Sequence, residues 1–101
     1  MPAHIVWALS SLADLTGIVS VISADNPPAA QRVAEQIKTR TRLLAQFPLS
    51  GKHYHWTPRG EVRELVVPPY RIFYRVAADS QVVRILRVWH AARGLPEFPS
   101  Q

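Results

Sequence analysis

Three strand-like runs of alternating apolar and polar residues fill the second half of the chain. Val62-Arg63-Glu64-Leu65-Val66-Val67 leads into Pro68-Pro69, then Tyr70-Arg71-Ile72-Phe73-Tyr74-Arg75-Val76. After Ala78-Asp79-Ser80 comes Val82-Val83-Arg84-Ile85-Leu86-Arg87-Val88-Trp89-His90. β-Branched and aromatic residues bounded by turn residues read as strands. Pairing must break at the two prolines, which have no amide to donate. Alternation places Tyr70, Ile72, Tyr74 and Val76 on one face of their strand, and Arg71, Phe73 and Arg75 on the other. In the last run Val83, Ile85, Arg87 and Trp89 oppose Val82, Arg84, Leu86, Val88 and His90.

The first half has a different period. His4-Ile5-Val6-Trp7 reads as a short strand. Behind it Leu12, Leu15, Ile18, Val19 and Ile22 recur at three- and four-residue spacing, the apolar stripe of a helix. Ser11 with Asp14 resembles a capping box that starts this helix. Gly17 inside it costs about 1 kcal/mol relative to alanine, so the helix depends on packing. Asn26-Pro27-Pro28 opens a second helix, since Asn caps and Pro is tolerated in the first turn. Its stripe of Ala30, Val33, Ala34, Ile37 and Leu44 runs on to about Phe47, and Pro48 and Gly51 end it. Lys52 to Gly60 reads as a loop, with a short strand at its end as the alternative. The order β-α-α-β-β-β predicts an α+β fold over residues 1–101: a helical hairpin packed on one face of a small antiparallel sheet.

Composition narrows the class. At 101 residues, with 48% hydrophobic and 19% charged positions, the chain suits one globular domain with a modest core. It has no cysteine, which excludes disulfide and thiolate-metal frameworks and fits a reducing cytoplasm. No apolar run reaches the roughly 18 residues of a membrane span, so no membrane partner is expected. Residues 1–50 hold four basic groups against three acidic ones, and residues 51–101 hold eight against four. Arginine outnumbers lysine ten to two, a bias that suits planar, bidentate contact with phosphate or carboxylate. The expected partner is therefore acidic, either nucleic acid or an acidic protein segment.

The candidate site follows from those arginines. Burying an unpartnered guanidinium is costly, so Arg63, Arg71, Arg75 and Arg84, with His90 and Arg93 at the end of the last strand, are expected to line a binding surface. Cleavage of RNA without a metal needs a base, an acid and cations on the phosphate. Arg63, Arg71 and Arg93 could supply the cations, and His90 one proton transfer. Nothing obvious fills the second proton-transfer role, for which Glu61 and Glu64 lack a supporting context. His53 and His55 would share one side of a strand, but no third ligand stands near them, so no metal or cofactor is expected. Trp7, Trp56 and Trp89 could stack on bases, though Trp7 and Trp89 occupy core-like positions. The tail from Gly94 reads as extended, docking Leu95 and Phe98.

Taken together, the element order, the strand Tyr70-Arg71-Ile72-Phe73-Tyr74, the Phe47-Pro48…Gly51 step and the ending His90-Ala91-Ala92-Arg93 resemble the RelE/ParE superfamily of bacterial toxins from toxin–antitoxin pairs. The resemblance implies a cytoplasmic toxin held in a hetero-oligomer by a cognate antitoxin, whose C-terminal segment wraps it with a helix. Ribonuclease members act with the ribosome on messenger RNA. Their pattern implies catalytic roles for Arg63, Arg71, His90 and Arg93, but the chain has no lysine in residues 62–67 and no tyrosine beyond Tyr74. The spacing of His90 and Arg93 is closer to the ParE branch, which implies inhibition of DNA gyrase without catalysis. A third reading is a non-toxic binding module of the same fold.

Overall fold

The structure, a computed structural model, describes residues 2–99. Its elements are β1 (His4–Trp7), α1 (Leu9–Asp25), α2 (Pro27–Arg42), β2 (Lys52–Thr57), β3 (Gly60–Val67), β4 (Tyr70–Val76) and β5 (Val82–His90). Single 3₁₀ turns follow α2 at Leu43–Ala45 and β5 at Ala91–Arg93. The five strands lie in the order β1-β5-β4-β3-β2, and only β1 with β5 is parallel. The α+β class and the helical hairpin hold. The stretch after Gly51, expected as a loop with at most a short strand at its end, is a strand from its first residue, β2, paired antiparallel with β3.

Two β-bulges account for what simple alternation misplaces. In β2 the register shifts between His53 and His55, so Tyr54 is the extra residue. An extra residue reverses the faces beyond it. His53 therefore pairs with Arg63 and His55 with Val62, on opposite faces rather than one. In β5, Phe73 pairs with Arg87 and Tyr74 with Ile85, which leaves Leu86 as the bulge. Arg87 and Trp89 thereby move to the face of Phe73 and Arg71, and Val88 and His90 to the face of Ile72 and Tyr70.

The helices cover one face of the sheet. Ile37, Leu44, Leu65, Ile72, Tyr74, Val76, Val83, Ile85 and Val88 form the main core there. α2 starts as predicted: the Asn26 side chain accepts from the Ala29 amide, and Pro27 and Pro28 occupy positions where no amide is needed. α1 starts differently. Ala8, not Ser11, stands at its cap, and no side chain caps it. Ser11 is buried one turn in, its hydroxyl donating to Ala8 O at 2.7 Å. The sheet fixes the start instead. Ala8 N donates to Ile85 O and Ser10 Oγ to Leu86 O, so the helix begins where β1 leaves the edge of β5.

The other face, termed here the outer face, has a smaller core of its own. Val62, Phe73 and Leu86 are buried there. The Phe73 ring meets Tyr54 and Phe98 edge-on at 5.0 and 5.2 Å between centroids. Phe98 docks as expected and Pro96 is buried, but Leu95 stays exposed. The chain end thus closes over the middle of the outer face.

Candidate functional site

The arginines expected to share one surface fall into three groups. Arg63 follows the alternation of Leu65 and Val67 and lies on the helix face. Its guanidinium donates to Leu49 O at 2.9 Å and Gly51 O at 2.6 Å, and pairs with Glu61 at 3.0 Å. Glu61 also holds His53 Nδ1 at 2.6 Å. Burial pushes the Glu61 carboxyl up, but the hydrogen bonds and charges of His53 and Arg63 outweigh it and hold it below the ordinary value. The Tyr74 hydroxyl completes the clamp, accepting from Gly51 N and donating to Pro48 O, both at 2.9 Å. Arg63 therefore ties the turn before β2 to the sheet.

A second group lies on the outer face near the end of β5. Arg71 is ion-paired with Glu64 and lies over the Phe73 ring. Arg87 makes a bidentate pair with Asp14 of α1, both contacts at 2.8 Å, and donates to Glu97 O at 2.8 Å. Asp14 also accepts from Val88 N at 3.0 Å. β1 covers β5 only as far as Ile85, and Asp14 takes over as the acceptor for the amide beyond. Trp89 carries Arg87 on its ring at 4.6 Å and Arg93 at 3.9 Å. Sequence reasoning omitted Arg87 and Asp14 because the Leu86 bulge and the apparent cap disguised them.

The third group, Arg75 and Arg84, is a directly opposed cross-strand pair on the outer face at the other end of the strands. His90 belongs to none of these groups. It faces the helix side beside Tyr70, ring centroids 5.5 Å apart, and its Nδ1 accepts from Ala92 N. It caps the turn that follows β5.

His90 and Arg93 do meet at one feature, a groove of about 500 Å³ between α1 and the ends of β4 and β5. Ala13, Gly17, Ile18, Val21, Tyr70 and Val88 give it an apolar floor and wall, while Asp14, His90 and Arg93 supply polar edges. α1 contributes to it with a residue outside its core stripe, Val21, which is 75% exposed. The off-stripe Val21 was the signal available in the sequence.

Residues 5–95 match the family described as the ParE toxin of the type II toxin-antitoxin system, parDE. The toxin RelE2 of Caulobacter vibrioides is 45% identical over 92 residues, which is 90% of this chain and 98% of that protein. Among solved structures, the chromosomal ParDE toxin–antitoxin system of P. aeruginosa superposes with a TM-score of 0.71 at 22% identity, covering 87% of this chain and 95% of that one. The RelBE2 toxin–antitoxin complex of Mycobacterium tuberculosis superposes at 0.60 and 24% identity, covering 89% and 99%. No helix among the described residues is long and apolar enough to cross a membrane. The sequence match over nine-tenths of the chain and the shared architecture agree: this protein belongs to the ParE toxin family of type II toxin–antitoxin systems, within the RelE/ParE superfamily.

Proposed function

We propose that this toxin acts by binding a protein target, in the manner of the ParE branch as an inhibitor of DNA gyrase, and that a cognate antitoxin silences it. One observation carries the preference for binding over catalysis. The four residues a ribonuclease reading requires are dispersed: His90 and Arg93 line the groove beside α1, Arg63 is tied to the turn before β2 on the helix face, and Arg71 lies on the outer face. Arg63 and Arg71 are each neutralised by an internal carboxylate, Glu61 and Glu64. Phosphoryl chemistry needs cations and proton-transfer groups aimed at one phosphate, and this arrangement does not converge.

A second reading is kept because a specific finding favours it. The Caulobacter relative at 45% identity is named a RelE toxin, and His90 and Arg93 line one groove. Under this reading the chain would cut messenger RNA on the ribosome. The two separate in a supercoiling assay run beside a toeprint on a translating message. The expected result is loss of gyrase supercoiling with the message intact. Cleavage in the ribosomal A site with supercoiling unchanged reverses the ranking, and no growth effect on induction without antitoxin favours the non-toxic module.

The antitoxin is assigned to the groove beside α1, as an amphipathic helix laid on an apolar floor. Both solved structures named above come from toxin–antitoxin systems. Gly17 offers a clean test, because apart from its chain neighbours and the helix's own backbone nothing lies within 4 Å of a Cβ added there. Gly17→Leu should keep the fold, gain up to about 1 kcal/mol of helix propensity and fill the groove. Affinity for the antitoxin should drop at least tenfold, a loss of about 1.4 kcal/mol. Unchanged affinity in a folded variant would move the antitoxin elsewhere.

A further inference from the structure

We propose that Arg59, Arg75 and Arg84 form a binding site for the phosphate backbone of nucleic acid, at the end of the outer face remote from His90. The register brings the site together. His55, Val62, Arg75 and Arg84 are successive partners across β2, β3, β4 and β5. Their side chains therefore form one row on the outer face, at about 4.8 Å per strand. Arg59 stands in the Pro58-Arg59 turn between β2 and β3. The pairs Tyr70 with His90 and Arg75 with Arg84 are five residues apart along β4, roughly 16 Å, so this row is distinct from the groove beside α1.

Arg59 and Arg84 differ from Arg63, Arg71 and Arg87 in how their charge is met. Glu61, Glu64 and Asp14 are committed to Arg63, Arg71 and Arg87. Asp79, in the turn between β4 and β5, accepts from Gln81 N. Among the described residues, neither Arg59 nor Arg84 takes part in an ion pair. Like charges directly opposed across strands destabilise a sheet. Burial, then the charges of Arg84 and Arg59, press the Arg75 pKa below its usual value. The site asks nothing of Arg75 beyond its place in this row. An anion seated along this row is drawn by Arg59 and Arg84, whose charges no ion pair among the described residues meets.

Phosphate is favoured by the donors and by the whole-molecule charge. Guanidinium presents a planar fork that matches two phosphate oxygens. A sequence pI near 10.5 and a net charge of +5 draw a polyanion from a distance. A backbone with regularly repeated charges can engage several guanidinium groups at once. The inference does not rest on the gyrase reading, since a chain that leaves supercoiling untouched could still bind DNA here.

The test is fluorescence anisotropy of the purified protein with a labelled mixed-sequence DNA duplex and, separately, with polyglutamate, between about 50 and 200 mM salt. The expected result is duplex binding that weakens with salt. Arg59→Gln with Arg84→Gln should weaken it about tenfold and lower the salt slope by about two, near 0.9 for each lost phosphate contact. Arg32→Gln with Arg42→Gln, an equal charge change on α2, should have an effect under about threefold, being outside the row. The unfolding midpoint of the first variant should be unchanged or higher, because a like-charge neighbour has been removed. Equal weakening by both pairs, no duplex binding by the unmodified protein, tighter binding to polyglutamate, or weakening that tracks lost stability would each overturn the assignment.

Discussion

Asp14→Ala is expected to lower the unfolding free energy by about 3–5 kcal/mol, the scale for removing one partner of a largely buried ion pair. Arg87 and Asp14 keep only 18% and 12% of their side-chain surface exposed. The Asp14 carboxylate satisfies three donors, Arg87 Nε, Arg87 Nη2 and Val88 N. Alanine leaves a buried guanidinium and an edge amide without their acceptor, and each carries its own desolvation cost. Against a total of roughly 5–15 kcal/mol for a domain, that loss brings the fold close to its limit. Urea denaturation measures it directly. Removing both charges with apolar residues, Asp14→Leu with Arg87→Met, should recover much of the deficit, because the stranded charge is gone. A loss under about 1 kcal/mol for Asp14→Ala would place this pair with exposed ion pairs of little consequence. The consequence for function is local. Asp14 anchors α1 to β5 and lines the groove assigned to the antitoxin, so antitoxin affinity should fall with stability in this variant.

The contrast between Asp14 and Asn26 shows what the sequence could and could not convey. Asn26-Pro27-Pro28 is a local signal whose chemistry closes within four residues, and the structure uses it as read. Ser11 and Asp14 present a similar local signal, yet their partners are Ala8 O and a strand more than seventy residues away. A tertiary contact overrode the local rule, and no spacing in one sequence reports that. The sheet behaves likewise. β4 has no extra residue of its own, and its alternation is legible from Tyr70 to Val76. β5 and β2 each carry an extra residue, Leu86 and Tyr54. Each bulge reverses the faces of every residue beyond it. The arginine-rich character of the strands was legible for the same reason that its geometry was not. Residue type is written in the sequence, whereas the sharing of Glu61, Glu64 and Asp14 among the arginines depends on register.

Gly60→Ala is expected to destabilise the protein by about 2–4 kcal/mol, combining backbone strain of 1–3 kcal/mol with overpacking of similar size. Gly60 has φ near +140°, and a Cβ added there would lie 2.2 Å from Val76 O. That neighbour is backbone within β4, so it cannot rotate away as a side chain could. Gly94 provides the control. Its φ is +77°, but no atom lies within 4 Å of an added Cβ. With ψ at −139°, Gly94→Ala should therefore lose only the conformational term of about 1–3 kcal/mol. The difference between the two variants isolates the clash. The Gly60 variant should also lose structure unevenly, because Gly60 pairs with Thr57 at the start of the β2–β3 hairpin. Tyr54 of that hairpin packs on both Phe73 and Phe98. Amide exchange should accelerate first in β2 and in the chain end lying on the outer face, while the pairing of β4 with β5 stays protected. If the two glycine variants melt alike, the close approach to Val76 is relieved by a backbone shift, and the hairpin turn tolerates more freedom than its geometry implies.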